Sequence, residues 1–154
     1  MITQLEPVLA LQGQWQGHSQ LYLAEVGSAA RSGVTASVTP MLDQHFVRLD
    51  YQWQHEGQPH QGFMIFGYQP TSDLACLHWA DNWHMGRDIM VLKGTLGLDT
   101  GWNVFGTYAA ASGPDWGWRI KFKPDPQQTL VSMFNVSPDG IQTLAVEMVL
   151  QRSA

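Results

Sequence analysis

Trp116-Gly117-Trp118-Arg119-Ile120-Lys121-Phe122-Lys123 decides the fold of this chain. Trp116, Trp118, Ile120 and Phe122 fall on one side of an extended backbone, and Arg119, Lys121 and Lys123 fall on the other. Successive side chains of a strand point to opposite faces, so this is a strand with one buried and one solvated side. The same two-residue period recurs outward from it. Val47, Leu49, Tyr51 and Trp53 oppose Arg48, Asp50 and Gln52, while Leu144, Val146, Met148 and Leu150 oppose Thr143, Ala145 and Glu147. In 60–69, Met64, Phe66 and Tyr68 oppose Phe63 and Ile65, so both faces are apolar.

Turn residues punctuate the pattern at Glu56-Gly57-Gln58-Pro59, Pro70-Thr71-Ser72-Asp73, Asp99-Thr100-Gly101, Pro124-Asp125-Pro126 and Pro138-Asp139-Gly140. Gly supplies positive φ and Pro presets φ near −65° at such places. Strands are therefore expected at 14–25, 33–42, 44–55, 60–69, 74–82, 86–93, 102–109, 115–123, 129–136 and 141–151. Some ten short strands with short connections imply an antiparallel meander, and closing it into a barrel removes the exposed edges. One helix precedes them. Thr3-x-x-Glu6 has the form of a capping box, Leu5, Val8 and Leu9 follow at helical spacing, and Gly13 is the expected stop. A short amphipathic helix of this size suits a plug for one end of the barrel. The expected fold is all-β: one closed antiparallel barrel with an N-terminal helix, forming a single domain over 1–154.

Composition narrows the function. Charged residues are only 14% of the 154, and the net charge is −5 with eight Lys and Arg. That balance disfavours nucleic acid and anionic membrane surfaces, which call for clustered cations. No apolar run reaches the length of a membrane helix, and the N-terminus lacks the basic start and apolar core of a signal peptide, so a cytoplasmic location is expected. Cys76 is the one cysteine, which excludes an intrachain disulfide and a Cys-based zinc site. The six histidines offer no local ligand pair, so neither metal nor cofactor is expected. His55 and His60 flank a hairpin turn. Cys76 and His78 share a face without any further catalytic group, and the thiol reads as a small buried residue.

Seven tryptophans remain to be explained. Alternation sends Trp53, Trp79, Trp83, Trp116 and Trp118 inward, and it carries Asp81 inward between Trp79 and Trp83. A buried carboxylate is costly unless it is hydrogen-bonded, paired or protonated. Asp81 either caps the turn into Trp83-His84-Met85-Gly86 or faces a ligand, with His84 as its neighbour. Arg119 follows Trp118 but falls on the outer face. Arg152 is better placed to cover Trp15 at the barrel base.

Gly13-Gln14-Trp15-Gln16-Gly17 after a short helix resembles the opening of calycin-type barrels. Together with Gly67-Tyr68, Trp79-Ala80-Asp81-Asn82-Trp83-His84, Gly113-Pro114-Asp115-Trp116-Gly117-Trp118-Arg119, Asn135-Val136-Ser137-Pro138-Asp139-Gly140 and Ala145-Val146-Glu147-Met148 ending in Arg152, it resembles the DUF1579 family of uncharacterised lipocalin-like bacterial proteins. The resemblance implies a closed, roughly ten-stranded barrel and no known reaction. The Arg-x-Tyr of fatty-acid-binding proteins is missing from Val146–Arg152, and no His follows His84 to serve as the axial ligand of nitrobindin-like barrels.

The expected function is non-catalytic binding of a small apolar or aromatic molecule in the interior. Tyr51, Trp53, Tyr68, Trp79, Trp83, Trp116 and Trp118 would supply stacking surface, and Asp81 with His84 the polar contacts. Two alternatives stand beside it. One is an enzyme using Asp81 and His84 as an acid–base pair. The other is a packed barrel acting through its outer surface, with Phe63 and Ile65 buried in a homodimer.

Overall fold

A computed structural model describes residues 3–23 and 28–153. Ten antiparallel strands follow one another around a closed barrel: β1 (Gly13–Leu23), β2 (Ser28–Met41), β3 (Phe46–His55), β4 (Gln58–Gln69), β5 (Leu74–Asp81), β6 (Met90–Gly97), β7 (Gly101–Tyr108), β8 (Trp116–Lys123), β9 (Thr129–Val136) and β10 (Gln142–Arg152). Each pairs with its sequence neighbour, and β1 pairs with β10 from Trp15↔Arg152 to Leu21↔Val146, which closes the sheet. The meander and its closure agree with the sequence expectation. No helix among the described residues is long and apolar enough to cross a membrane.

The interior is a packed apolar core. Leu49, Met64, Phe66, Leu77, Leu92, Val104, Ile120 and Phe122 are buried, each from a position where alternation points inward. Trp102, which sequence reading did not place, is a core ring: it meets Phe66 edge-on at 5.1 Å, and Phe66 lies 4.6 Å from Phe122. The basic residues of β8 face outward, and two of them, Arg119 and Lys121, are not simply solvated. Arg119 donates to Gln142 and Asn103 and lies 5.2 Å over Phe105, and Lys121 lies 5.5 Å from the ring of Phe134. On β4 the outward Phe63 is covered by Arg48 at 4.8 Å.

Several boundaries differ from expectation. β2 begins at Ser28, five residues early, because its long pairing with β1 extends through Ala29, Ala30 and Arg31 despite their lack of alternation. β6 covers Met90–Gly97 and not 86–93. Gly94, which signals a turn or a bulge, lies within the strand, where an added Cβ would fall 2.0 Å from the Asn103 carbonyl oxygen of β7. Its glycine marks a close backbone approach. Gly86, at φ +61°, takes the turn instead.

The N-terminal segment is a 3₁₀ turn over Thr3–Leu5 (η1) running into a four-residue α1 (Glu6–Leu9). The expected capping box does not form. Leu5 is the N-cap without a side-chain bond, and the Thr3 hydroxyl donates to Gln4. Nor does Gly13 end the helix; the helix ends at Ala10, and Gly13 at φ +129° turns the chain into β1. The plug itself is as expected: Leu5, Val8 and Leu11 are fully buried against the barrel.

Arg152 holds this plug in place. Its guanidinium donates to the carbonyls of Gln12 (3.0 Å) and Ala10 (2.6 Å) and lies 4.8 Å over Trp15, whose indole N–H donates to Leu11 O at 2.7 Å. The guanidinium satisfies carbonyls left free past the end of this short helix as well as stacking on the indole. Arg152→Ala is therefore expected to lower stability by about 1–2 kcal/mol. Arg152→Lys should recover little of it, because one ammonium cannot reproduce the planar fork over the ring. Denaturant midpoints check this, and a change under about 0.5 kcal/mol, the level of an ordinary surface substitution, would contradict it.

Candidate functional site

Antiparallel alternation puts the hairpin between β3 and β4 (56–57), the loop 82–89 and the turns at 109–115 and 137–141 at the barrel end opposite the helix. Tyr51 and Trp53 of β3, Asp81 at the end of β5, and Trp118 of β8 approach this end from inside, and His84 enters from the loop.

Asp81 is 2% exposed and organises the group. Its Oδ2 accepts the Tyr51 hydroxyl at 2.7 Å and the Trp53 indole N–H at 3.1 Å. Its Oδ1 accepts the backbone N–H of Trp83 at 2.8 Å and of His84 at 3.1 Å. The turn-capping reading of Asp81 is realised by Oδ1, while Oδ2 is bonded inside the barrel by Tyr51 and Trp53. The Tyr51 oxygen in turn accepts the Trp79 indole N–H at 2.9 Å. Every neighbour of the carboxyl is a donor, which favours the ionised form. Burial works against ionisation, but the His84 imidazole, the Tyr51 hydroxyl and the His84 N–H together hold the Asp81 carboxyl below the ordinary carboxylate range. The Tyr51 phenol goes the other way, pushed well up by burial and by the adjacent carboxylate, and stays neutral.

A depressed carboxyl adds stability that is complete above the unfolded value and is lost as pH falls through the folded one. The barrel is expected to lose stability below the ordinary aspartate value of 3.8 through this group. Asp81→Asn should flatten that part of the profile. Urea midpoints of both proteins between neutral pH and pH 3 provide the measurement, and parallel profiles would contradict it.

His84 lies against four indoles. Its ring centroid is 5.7 Å from Trp53, 5.6 Å from Trp79, 4.7 Å from Trp83 and 5.6 Å from Trp118. Trp79 and Trp118 stack at 5.3 Å with planes 5° apart. His84 Nδ1 is 3.4 Å from Asp81 Oδ1, beyond good hydrogen-bond length. Both His84 ring nitrogens and the Trp118 indole nitrogen are buried without a hydrogen-bond partner. Beside His84, Ser19, Leu21, Tyr51, Trp53, Met133, Val146 and Met148 surround about 210 Å³ of interstitial space, too finely divided for a water-sized sphere.

Sequence reasoning named most of this cluster, with three differences. Trp83 does not point inward; β5 ends at Asp81, alternation stops there, and Trp83 is 39% exposed, edge-on to Trp53 at 5.7 Å. Tyr68 lies toward the helix end of β4, where its hydroxyl donates to Asp73 in the 70–73 turn, far from Asp81 along the barrel. Trp116 is at the end opposite the helix, paired with Tyr108, but Trp118 is the ring that meets His84. His55 and His60, which sequence reading left as hairpin neighbours, lie 5.5 and 6.5 Å from Trp83 and form the outer part of the aromatic cluster. Among the described residues no three His, Cys, Asp or Glu side chains converge on a point. Cys76 Sγ is 4.0 Å from His78 Nδ1, and burial pushes its thiol up despite Lys93, away from nucleophilic use.

Fold and site together define a closed ten-stranded meander barrel, plugged by a helix at one end and carrying a buried carboxylate among tryptophans at the other. The chain belongs to the DUF1579 family of proteins of unknown function, whose model matches residues 7–152. No curated protein matches it. Among solved structures it is similar to that of Rv2717c from M. tuberculosis, with a TM-score of 0.67 and 14% identity over 100% of this chain and 99% of the other. At that identity the likeness concerns the fold.

Proposed function

We propose that the protein is a non-catalytic binding barrel that takes a small aromatic or apolar molecule at the end opposite the helix, among Trp53, Trp83, His84 and Trp118. The observation that carries this reading is the gathering of two buried nitrogens without any polar neighbour, His84 Nε2 and Trp118 Nε1, in one aromatic cluster. Buried polar atoms are nearly always hydrogen-bonded, and a local concentration of exceptions calls for an explanation such as an outside partner. Tryptophan faces supply stacking surface for that partner, and Asp81 supplies orientation. The interior is packed, so binding requires side chains at this end to move. Titration of tryptophan emission with a panel of planar aromatics and lipophiles, alongside native mass spectrometry of freshly purified protein, tests the reading. Saturable quenching that is weakened in Trp118→Leu is expected. Absence of both a carried mass and any saturable quenching would overturn it.

A second reading is favoured by one observation, the 3.4 Å approach of His84 Nδ1 to Asp81 Oδ1 on the same side of the wall. An imidazole oriented by a carboxylate can act as a general base through its other nitrogen. A panel of activated esters tests it: turnover abolished in folded His84→Gln would support it, and no turnover would end it.

A further inference from the structure

The surroundings of His84 specify the charge of the ligand. Four indoles and one carboxylate converge on its ring. Tryptophan rings with a carboxylate are the chemistry that selects an organic cation. Among the described residues no Lys or Arg lies within salt-bridge distance of Asp81, and the basic group nearest it is the His84 imidazole, with Nδ1 3.4 Å from Oδ1. A cation among these indoles would compensate the charge of the buried carboxylate, which a neutral molecule cannot do.

The same contacts show which part of His84 is free to leave. Its backbone is pinned: the N–H groups of Trp83 and His84 donate to Asp81 Oδ1, and the Met85 N–H donates to Asp81 O at 2.7 Å. Its ring is held more weakly, by the long 3.4 Å approach of Nδ1 to Asp81 Oδ1, while Nε2 has no partner. A rotamer change can thus carry the imidazole out of the cage while the turn stays formed. The ring's own volume would then join the interstitial space against Ser19, Met133 and Met148.

We propose that this cage is a binding site for a small planar organic cation of the imidazolium or amidinium class, which enters by displacing the His84 side chain. The proposal rests on the reading that the end opposite the helix binds a small molecule and adds that the molecule is cationic. An amidinium matches the site because its planar N–H pair can meet a carboxylate oxygen while its face lies on indole.

Acetamidinium chloride tests this, with acetamide as the neutral molecule of the same shape and sodium chloride at equal ionic strength as the blank. The readout is the seven indole N–H resonances of the tryptophans. In the wild-type protein acetamidinium should shift resonances of Trp53, Trp79, Trp83 and Trp118 saturably, leave Trp15 and Trp102 in place, and bind about tenfold more tightly than acetamide. His84→Ala removes the competing ring and should tighten acetamidinium binding by about tenfold more, with unmoved Trp15 and Trp102 signals reporting an intact barrel. If that variant does not fold, His84→Asn replaces it with a smaller polar group, and the wild-type comparison decides independently. Equal binding of acetamide, no saturable shift, or no gain in a folded His84 variant each overturns the proposal. Neutral aromatics that bind at these four tryptophans while acetamidinium does not would overturn the cation assignment and leave the binding reading standing. Failure of both sets would end both.

Discussion

Asp81→Ala is expected to destabilise the barrel by about 3–5 kcal/mol, and Asp81→Asn by about 2–3 kcal/mol despite its nearly identical shape. Alanine removes the acceptor for four donors at once: the Tyr51 hydroxyl, the Trp53 indole and the N–H groups of Trp83 and His84. Each buried donor left without a partner costs its desolvation. Asparagine is informative because it keeps one acceptor and puts an NH₂ in place of the other. With the NH₂ toward the loop, it opposes two backbone N–H groups. With the NH₂ toward the interior, the Tyr51 oxygen can accept from it, but that oxygen already accepts the Trp79 indole, and the Trp53 N–H then faces a donor. The second orientation breaks fewer bonds and should be the one adopted. The Trp53 indole resonance should therefore shift in Asp81→Asn while the 82–89 turn is retained. Chemical denaturation gives the energies. An Asn variant within about 1 kcal/mol of wild type would mean that Asp81 is protonated in the native state and already donates a hydrogen bond, contrary to the ionised carboxylate argued above.

The barrel was legible in the sequence because its evidence is local. Alternation in Trp116–Lys123 and the Gly and Pro turns need no knowledge of partners, and closure follows from the cost of open edges. The site was legible only as far as β5 runs. Alternation through Leu77, Trp79 and Asp81 places those three inside, but extrapolated two residues past the strand end it puts Trp83 inside too. The chain turns at Asn82, Trp83 goes to the rim, and His84 takes the interior place. Asp81 itself causes this by binding both N–H groups of the turn, an Asx-type bond that competes with strand extension. Tyr68 failed for a different reason. Period two assigns a face and says nothing of height along the barrel, so an inward tyrosine at the helix end reads like one at the mouth. Gly62 carries no signal of its own in the sequence, since its role exists only between strands.

Gly62→Ala is expected to cost about 2–4 kcal/mol, at or above the usual range for overpacking, because the added methyl has no soft neighbour. Tyr51, Gly62 and Asp81 are in register across β3, β4 and β5. For the phenol to reach the carboxylate two strands away it must lie across the middle strand, which requires a residue with no side chain there. A Cβ on Gly62 would fall 2.4 Å from the Tyr51 hydroxyl, 2.5 Å from its Cζ and 2.7 Å from the Ala80 carbonyl oxygen. The first two atoms are held by Trp79 and Asp81, and the third is backbone, so the two phenol contacts are relieved only by breaking the Tyr51–Asp81 bond. That makes the lesion specific, and a double-mutant cycle reads it. In a Tyr51→Ala background the methyl meets only the Ala80 carbonyl, and the cost of Gly62→Ala should fall by about 1–3 kcal/mol. Gly33→Ala on β2 is the control, since nothing lies within 4 Å of its added Cβ and its φ is not positive. It should be neutral or slightly stabilising through a less flexible unfolded chain. Additive costs in the cycle would place the strain of Gly62→Ala in the backbone alone and detach this glycine from the carboxylate network. Coupled costs would make Gly62 the residue that lets two strands share one acceptor, and so the position from which the site is built.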